Sequence, residues 1–174
     1  ELVLAEMGVK NVVIPNGVRT TTRETFYKSY VESVEFPQTL ESIKPYSFAK
    51  CESLTSIILP NSLDDLQRGV FLECSNLKDV ILSKNLQMIA GSSFAYTAIE
   101  KIEIPSSVTV IGSNAFLECD ALKQVELPEG LKEIHGGAFG GCEQLSQIEL
   151  PDGLEYIGEA AFCFCKSLKV IILP

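Results

Sequence analysis

The sequence lacks several features that would point to common classes of protein. It has no tryptophan and a single histidine, and its longest apolar stretches, such as Val170–Leu173, are far shorter than the roughly 20 residues of a membrane helix. We therefore expect no membrane insertion. Basic residues are also scarce, since 14 lysines and arginines stand against 23 aspartates and glutamates, a net charge of −9. Nucleic-acid affinity depends on lysine and arginine, so nucleic acid is excluded as an expected partner.

The motifs of catalysis and metal binding are missing as well. No glycine-rich phosphate loop, paired-carboxylate motif or EF-hand pattern is present. His135 occupies a position that glycine fills elsewhere in the chain (Gly112, Gly158), and nothing in the sequence places a nucleophile beside it. We therefore expect no catalytic residue, no cofactor, no metal site and no enzymatic activity.

What fills the chain instead is a repeat of 22 or 23 residues. Three columns keep this spacing, one of proline, one of phenylalanine and one of cysteine three residues after each phenylalanine. Ser83 replaces one proline, and Ser29 and Thr97 replace two cysteines in units that are one residue shorter. The columns are Pro15, Pro37, Pro60, Pro105, Pro128, Pro151 and Pro174; Phe26, Phe48, Phe71, Phe94, Phe116, Phe139 and Phe162; and Cys51, Cys74, Cys119, Cys142 and Cys165.

Each unit has the pattern of one coil of a solenoid. Around Val125 the apolar residues alternate with polar ones, which predicts a short strand with Leu122, Val125 and Leu127 pointing inward. Proline ends the strand because it has no N–H to donate. Leu131, Ile134 and the Ala138-Phe139 pair then return through the core, the last of these in an expected short helical turn. One unit cannot bury these side chains alone, so the units must stack.

The six cysteines allow three interpretations. Five occupy one column that serine and threonine also fill, which favours structural free thiols packed as small apolar groups with a weak donor. Disulfides between adjacent coils, such as Cys51 with Cys74 or Cys142 with Cys165, are a second interpretation. Metal binding is a third, although the paired spacing of metal sites is absent. Cys163 lies outside the column and is the cysteine that we expect to be reactive.

The repeat resembles the BspA-like leucine-rich repeats of bacterial and protist surface proteins. The match is best from Ile148 to Leu168, including Leu154, Ile157, Gly158, Ala161, Phe162 and Cys165. The resemblance implies an α/β repeat solenoid, a right-handed superhelix with a parallel sheet on the concave face and short helical or 3-10 turns on the convex side. The segment from Thr20 to Thr25 departs from the pattern, and no cap is visible at either end. We therefore interpret residues 1–174 as a single leucine-rich-repeat domain of about seven repeats, part of a longer protein.

The outward-facing strand residues are the candidate binding surface. They place an acidic ladder (Glu103, Glu126, Glu149) beside an exposed apolar pair, and they predict a concave partner-binding site. The ladder is either a solvated face or a site for a basic partner or a cation. The predicted site residues are Glu35, Ile58, Ile81, Lys101, Glu103, Gln124, Glu126, Gln147 and Glu149.

The expected function is a non-enzymatic protein-binding or adhesion module. Its expected partner is a host or cell-surface protein, with a glycan as the alternative. A structural spacer, whose functional site lies in other domains, is the competing hypothesis. The resemblance implies a cell-surface or secreted protein, whereas six unpaired cysteines are more typical of an intracellular one.

Overall fold

A computed structural model of the chain describes residues 8–172, and within them the backbone winds into stacked coils. All strands are short, and every strand pairing is parallel. Strands of three residues form one side of the stack: β1 (Asn11–Val13), β2 (Ser33–Glu35), β4 (Ser56–Ile58), β6 (Asp79–Ile81), β8 (Lys101–Glu103), β10 (Gln124–Glu126), β12 (Gln147–Glu149) and β14 (Val170–Ile172). Strands of two residues form a second side: β3 (Ser42–Ile43), β5 (Asp65–Leu66), β7 (Met88–Ile89), β9 (Val110–Ile111), β11 (Glu133–Ile134) and β13 (Tyr156–Ile157).

The three-residue strands follow the alternation that the sequence predicts. In β10, Gln124 and Glu126 are exposed and Val125 between them is buried. Leu122 is fully buried and Leu127 is half-buried against the core, so the inward set predicted for this unit is confirmed. Pro174, the last proline of the column, lies outside the described residues.

Hydrogen bonding along the three-residue strands is interrupted at every second step. The ladders join β1 to β2, β4 to β6, β8 to β10 and β12 to β14. The strands β2 and β4, β6 and β8, and β10 and β12 are in contact, but in the described part of the chain no backbone hydrogen bond joins them. We call these three places seams.

The third side of each coil is a turn, and the expected α/β fold with helical turns is wrong here. No helix occurs in residues 8–172. Two residues of each turn, two before and two after the phenylalanine, have positive φ, as Tyr46 (58°) and Lys50 (61°) do around Phe48. A helix needs an unbroken run of negative φ, so it cannot form. The N–H groups of Tyr46, Phe48 and Lys50 instead donate to the next coil, at N···O distances of 3.2, 3.0 and 2.8 Å.

The phenylalanine column is the centre of the core. Phe48, Phe71, Phe94, Phe116 and Phe139 are fully buried, and the rings of neighbouring coils stack with centroids 5.4 to 5.6 Å apart. The buried aliphatic residues of both strand sides pack around this stack in one continuous cluster. Each ring is therefore covered by two others, which explains why one coil could not bury its own core.

Two departures from the repeat are accommodated by hydrogen bonds. Thr21, within the divergent segment, is buried, and its hydroxyl bonds to the Ser47 hydroxyl (2.8 Å) and accepts the Lys44 N–H (2.9 Å). Ser83, in the proline column, is also buried and donates to the carbonyl of Leu63 at 2.5 Å. Both polar groups are satisfied, so neither substitution leaves a buried group without a partner.

Truncation of a central ring should be costly. We predict that Phe116→Ala lowers the free energy of unfolding by about 3–5 kcal/mol, because the cavity would lie between two stacked rings. Phe162→Ala is the matched comparison, since Phe162 is half-buried and should lose less. Urea unfolding followed by circular dichroism measures both values. Equal losses would contradict the assigned role of the stack.

A glycine beside the two-residue strands should also be sensitive. A Cβ at Gly112 would lie 2.7 Å from the backbone nitrogen of Gly91, whereas one at Gly130 meets nothing closer than 3.6 Å. We therefore predict that Gly112→Ala destabilises the protein by about 1–3 kcal/mol through overpacking. Gly130→Ala should leave the thermal midpoint nearly unchanged. An unchanged thermal midpoint for Gly112→Ala would show that the coils of Gly91 and Gly112 can move apart with little loss of stability.

Candidate partner-binding surface

The nine residues predicted to bind a partner all lie on the exposed side of the three-residue strands. Glu35 is on β2, Ile58 on β4 and Ile81 on β6; the other six are on β8, β10 and β12. All nine side chains are exposed. We call this side, including the loops that follow its strands, the strand face.

Ile58 and Ile81 form an apolar pair on the strand face. They are partners in the register of β4 and β6, and 64% and 59% of their surfaces remain exposed. Cross-strand partners of this kind lie about 5 Å apart, so the two side chains make one continuous apolar spot. Ser56 and Asp79, also register partners, border the pair on the same strands.

The acidic ladder is partly neutralised. Glu103 and Glu126 are register partners on β8 and β10, and the Lys101 ammonium lies 2.8 Å from the Glu126 carboxylate. A hydrogen bond and the negative charge of Glu126 raise the pKa of Lys101. Gln124 also donates to Glu126. Glu149 stands across a seam from this cluster, so the three glutamates share a face without forming one hydrogen-bonded ladder.

A groove of about 700 Å³ opens on the strand face along β10 and β12. The predicted residues Gln124, Glu126, Gln147 and Glu149 line it. Among the other residues that line it, three are charged and absent from the sequence-based prediction, namely Lys123, Glu129 and Asp152. Glu129 and Asp152 each follow a proline of the repeat, and this shared position is the signal that could have identified them.

The two residues considered for catalysis are not brought together. The His135 ring bonds to the Glu133 carboxylate at 2.7 Å and meets the Tyr156 ring edge-on. Cys163 is half-buried beside Gly140. No hydrogen bond between described residues joins His135 to Cys163. Across residues 8–172, no group of three or more potential metal ligands is found. In the same residues, no helix is long and apolar enough to cross a membrane.

The cysteine column binds the backbone of the preceding coil. The thiols of Cys51, Cys74, Cys119, Cys142 and Cys165 each donate to the carbonyl of the phenylalanine one coil earlier, at 3.0 to 3.2 Å. Burial raises the pKa of every one of these thiols, that of Cys119 to about 11. The column is thus a set of neutral structural donors.

A parallel β-solenoid with these columns defines the chain as a leucine-rich-repeat protein. The model of the BspA type leucine rich repeat region matches residues 3–122 and 87–174 in six copies. The chain therefore belongs to the BspA-type leucine-rich-repeat family, and the resemblance drawn from the sequence is confirmed. Leucine-rich-repeat proteins mediate protein interactions and are typically non-enzymatic. No curated protein sequence matches the chain.

Solved structures of bacterial leucine-rich-repeat proteins have the same fold. One from Bacteroides ovatus is 31% identical, with a TM-score of 0.90 over 95% of this chain and 46% of its own. The T. pallidum leucine-rich-repeat protein is 28% identical, with a TM-score of 0.82 over 91% of this chain and 78% of its own. A leucine-rich cell surface protein of Faecalibacterium prausnitzii is 22% identical, with a TM-score of 0.59 over 97% of this chain and 55% of its own. The chain thus spans less than half of the Bacteroides ovatus protein.

Thiol accessibility can be tested directly. We predict that a maleimide reagent at pH 8 modifies Cys163 first, because Cys163 is outside the buried column. Cys119 should react only on unfolding, since burial keeps its thiol protonated and covered. Mass spectrometry of peptides after timed labelling distinguishes the two residues. Labelling of Cys119 at the rate of Cys163 would contradict the structural role of the column.

Proposed function

We propose that this chain is a non-enzymatic protein-binding module and that the strand face is its binding surface. The observation that carries the proposal is the register pairing of Ile58 with Ile81, both more than half exposed on an ordered sheet. Exposed apolar spots of this kind mark interaction sites in soluble proteins.

The polar residues around the pair support the proposal. Interfaces combine an apolar centre with a polar rim that makes hydrogen bonds. Here Glu35 lies on one side of the apolar pair, and Lys101, Glu103 and Gln124 lie on the other, all with exposed side chains. An array of side chains held in place by the strands could bind a folded partner with little loss of conformational entropy.

We further propose a cell-surface or secreted location, with a host or cell-surface protein as partner and a glycan as the alternative. The structurally similar protein of Faecalibacterium prausnitzii is a leucine-rich cell surface protein, which agrees with this location. Free thiols are unusual in oxidising compartments. Burial answers that objection for Cys51, Cys74, Cys119 and Cys142, because buried protonated thiols are protected from oxidation, whereas Cys163 and Cys165 are half-buried.

The test is the double variant Ile58→Ser/Ile81→Ser. Both side chains are exposed, so the thermal midpoint should change little, whereas binding to extracellular-matrix proteins should fall at least tenfold. Surface plasmon resonance against a panel of purified matrix proteins at two salt concentrations measures the effect.

Met88→Ser is the matched control, because Met88 is exposed on β7, away from the strand face. Its binding should equal that of the wild type. If a matrix protein binds and no strand-face substitution weakens it, the face is not the binding surface. Absence of binding to every panel member would favour the spacer hypothesis.

A further inference from the structure

The groove along β10 and β12 has a chemistry that the rest of the strand face lacks. Its floor is apolar, since Val125 and Ile148 are buried beneath it. Four carboxylates line it, those of Glu126, Glu129, Glu149 and Asp152. Its volume lies within the range of about 300–1,000 Å³ that is typical of ligand pockets.

Most of these carboxylates form no ion pair within residues 8–172. Of the four carboxylates, only that of Glu126 forms an ion pair among the described residues, with Lys101. The one basic residue in the lining, Lys123, is paired with Glu100 outside the groove. The carboxylates of Glu129, Glu149 and Asp152 therefore face the groove and form no ion pair with residues 8–172.

The groove lies at one of the three seams. The ladders that join β8 to β10 and β12 to β14 hold these pairs together, and no backbone hydrogen bond closes the step between β10 and β12. Seams also separate β2 from β4 and β6 from β8. Of the three seams within residues 8–172, the one between β10 and β12 has this groove of about 700 Å³ with its carboxylate-rich lining.

Acidic residues are also in excess in the part of the chain that contains the groove. Residues 8–60 carry six basic and five acidic side chains, whereas residues 61–172 carry eight basic and sixteen acidic ones. The net charge thus changes from +1 to −8 along the stack. A cationic partner is attracted to the part of the strand face that contains the groove, because long-range electrostatic attraction steers association.

We infer that the groove binds a basic segment of the partner protein, in which arginine side chains reach Glu129, Glu149 and Asp152. Arginine fits better than lysine because its planar guanidinium donates two parallel hydrogen bonds to a carboxylate. Gln124 and Gln147 supply further hydrogen-bonding groups, and Ile172, half exposed at the groove, offers an aliphatic contact. This inference rests on the proposed function and specifies the chemistry of its partner.

The probe is a fluorescein-labelled eight-residue peptide of alternating arginine and valine, measured by fluorescence anisotropy with the full chain. We expect binding that weakens as salt rises, and no binding by the same peptide with glutamate in place of arginine. Glu129→Gln/Glu149→Gln should weaken binding roughly threefold to tenfold, the range expected for two solvent-exposed ion pairs. In ¹⁵N-labelled protein, shifts should be confined to the strand face around Gln124–Glu126 and Gln147–Glu149.

Asp64→Asn/Glu159→Gln is the matched control, because it removes two exposed carboxylates outside the groove. If the control weakens peptide binding equally, the inference is overturned, because peptide binding would then depend only on the overall charge of the protein. Displacement of the peptide by Ca²⁺, or self-association of the chain through the groove, would overturn it too. If Ile58→Ser/Ile81→Ser abolishes binding to a matrix protein and Glu129→Gln/Glu149→Gln does not, the inference fails and the proposed function stands.

Discussion

The backbone hydrogen bonds between successive turns are the interaction on which the whole structure depends. Each turn directs three N–H groups at the next coil, and this requires two residues with positive φ around each phenylalanine, most of them not glycine. A non-glycine residue in this conformation lowers the stability of the fold by about 1–2 kcal/mol, and a hydrogen bond raises it by about 0.5–1.5 kcal/mol net. The two terms nearly cancel. Burial of the stacked phenylalanine rings must therefore decide the balance, and that burial exists only when neighbouring coils are present.

The same turn geometry accounts for the cysteine column. In most turns the carbonyl of the phenylalanine accepts the N–H of the residue three positions later, as the Phe48 carbonyl does from Cys51 at 3.2 Å. At five of the phenylalanines a thiol one coil later donates to the same oxygen, as Cys119 does to the Phe94 carbonyl at 3.0 Å. In the shorter unit the Thr97 hydroxyl donates to that same carbonyl from within its own turn, at 2.8 Å. The site requires a small side chain that packs in the core and donates one hydrogen bond, and cysteine has both properties.

Much of the fold could be predicted from the sequence, because the proline, phenylalanine and cysteine columns record which side chains must be buried together. The turn could not, since residues such as Tyr46 and Lys50 seldom adopt positive φ, and only units with glycine, such as Gly137 and Gly141, signal it. The alternation argument found the strand-face residues but stopped at the prolines, so it missed Glu129. The seams could not be predicted either, because no single residue marks them.

The strand face can carry a specific chemistry because its side chains take no part in the core. Because side chains alternate along each strand, the buried residues stack in the core and the residues between them are free of packing constraints. The fold is therefore well determined by the sequence, while the partner depends on a few exposed residues. Strands about 4.8 Å apart place the Ile58–Ile81 pair about 15 Å from the groove between β10 and β12. An extended chain covers about 3.3 Å per residue, so a segment with aliphatic and basic residues some five positions apart would reach both surfaces at once.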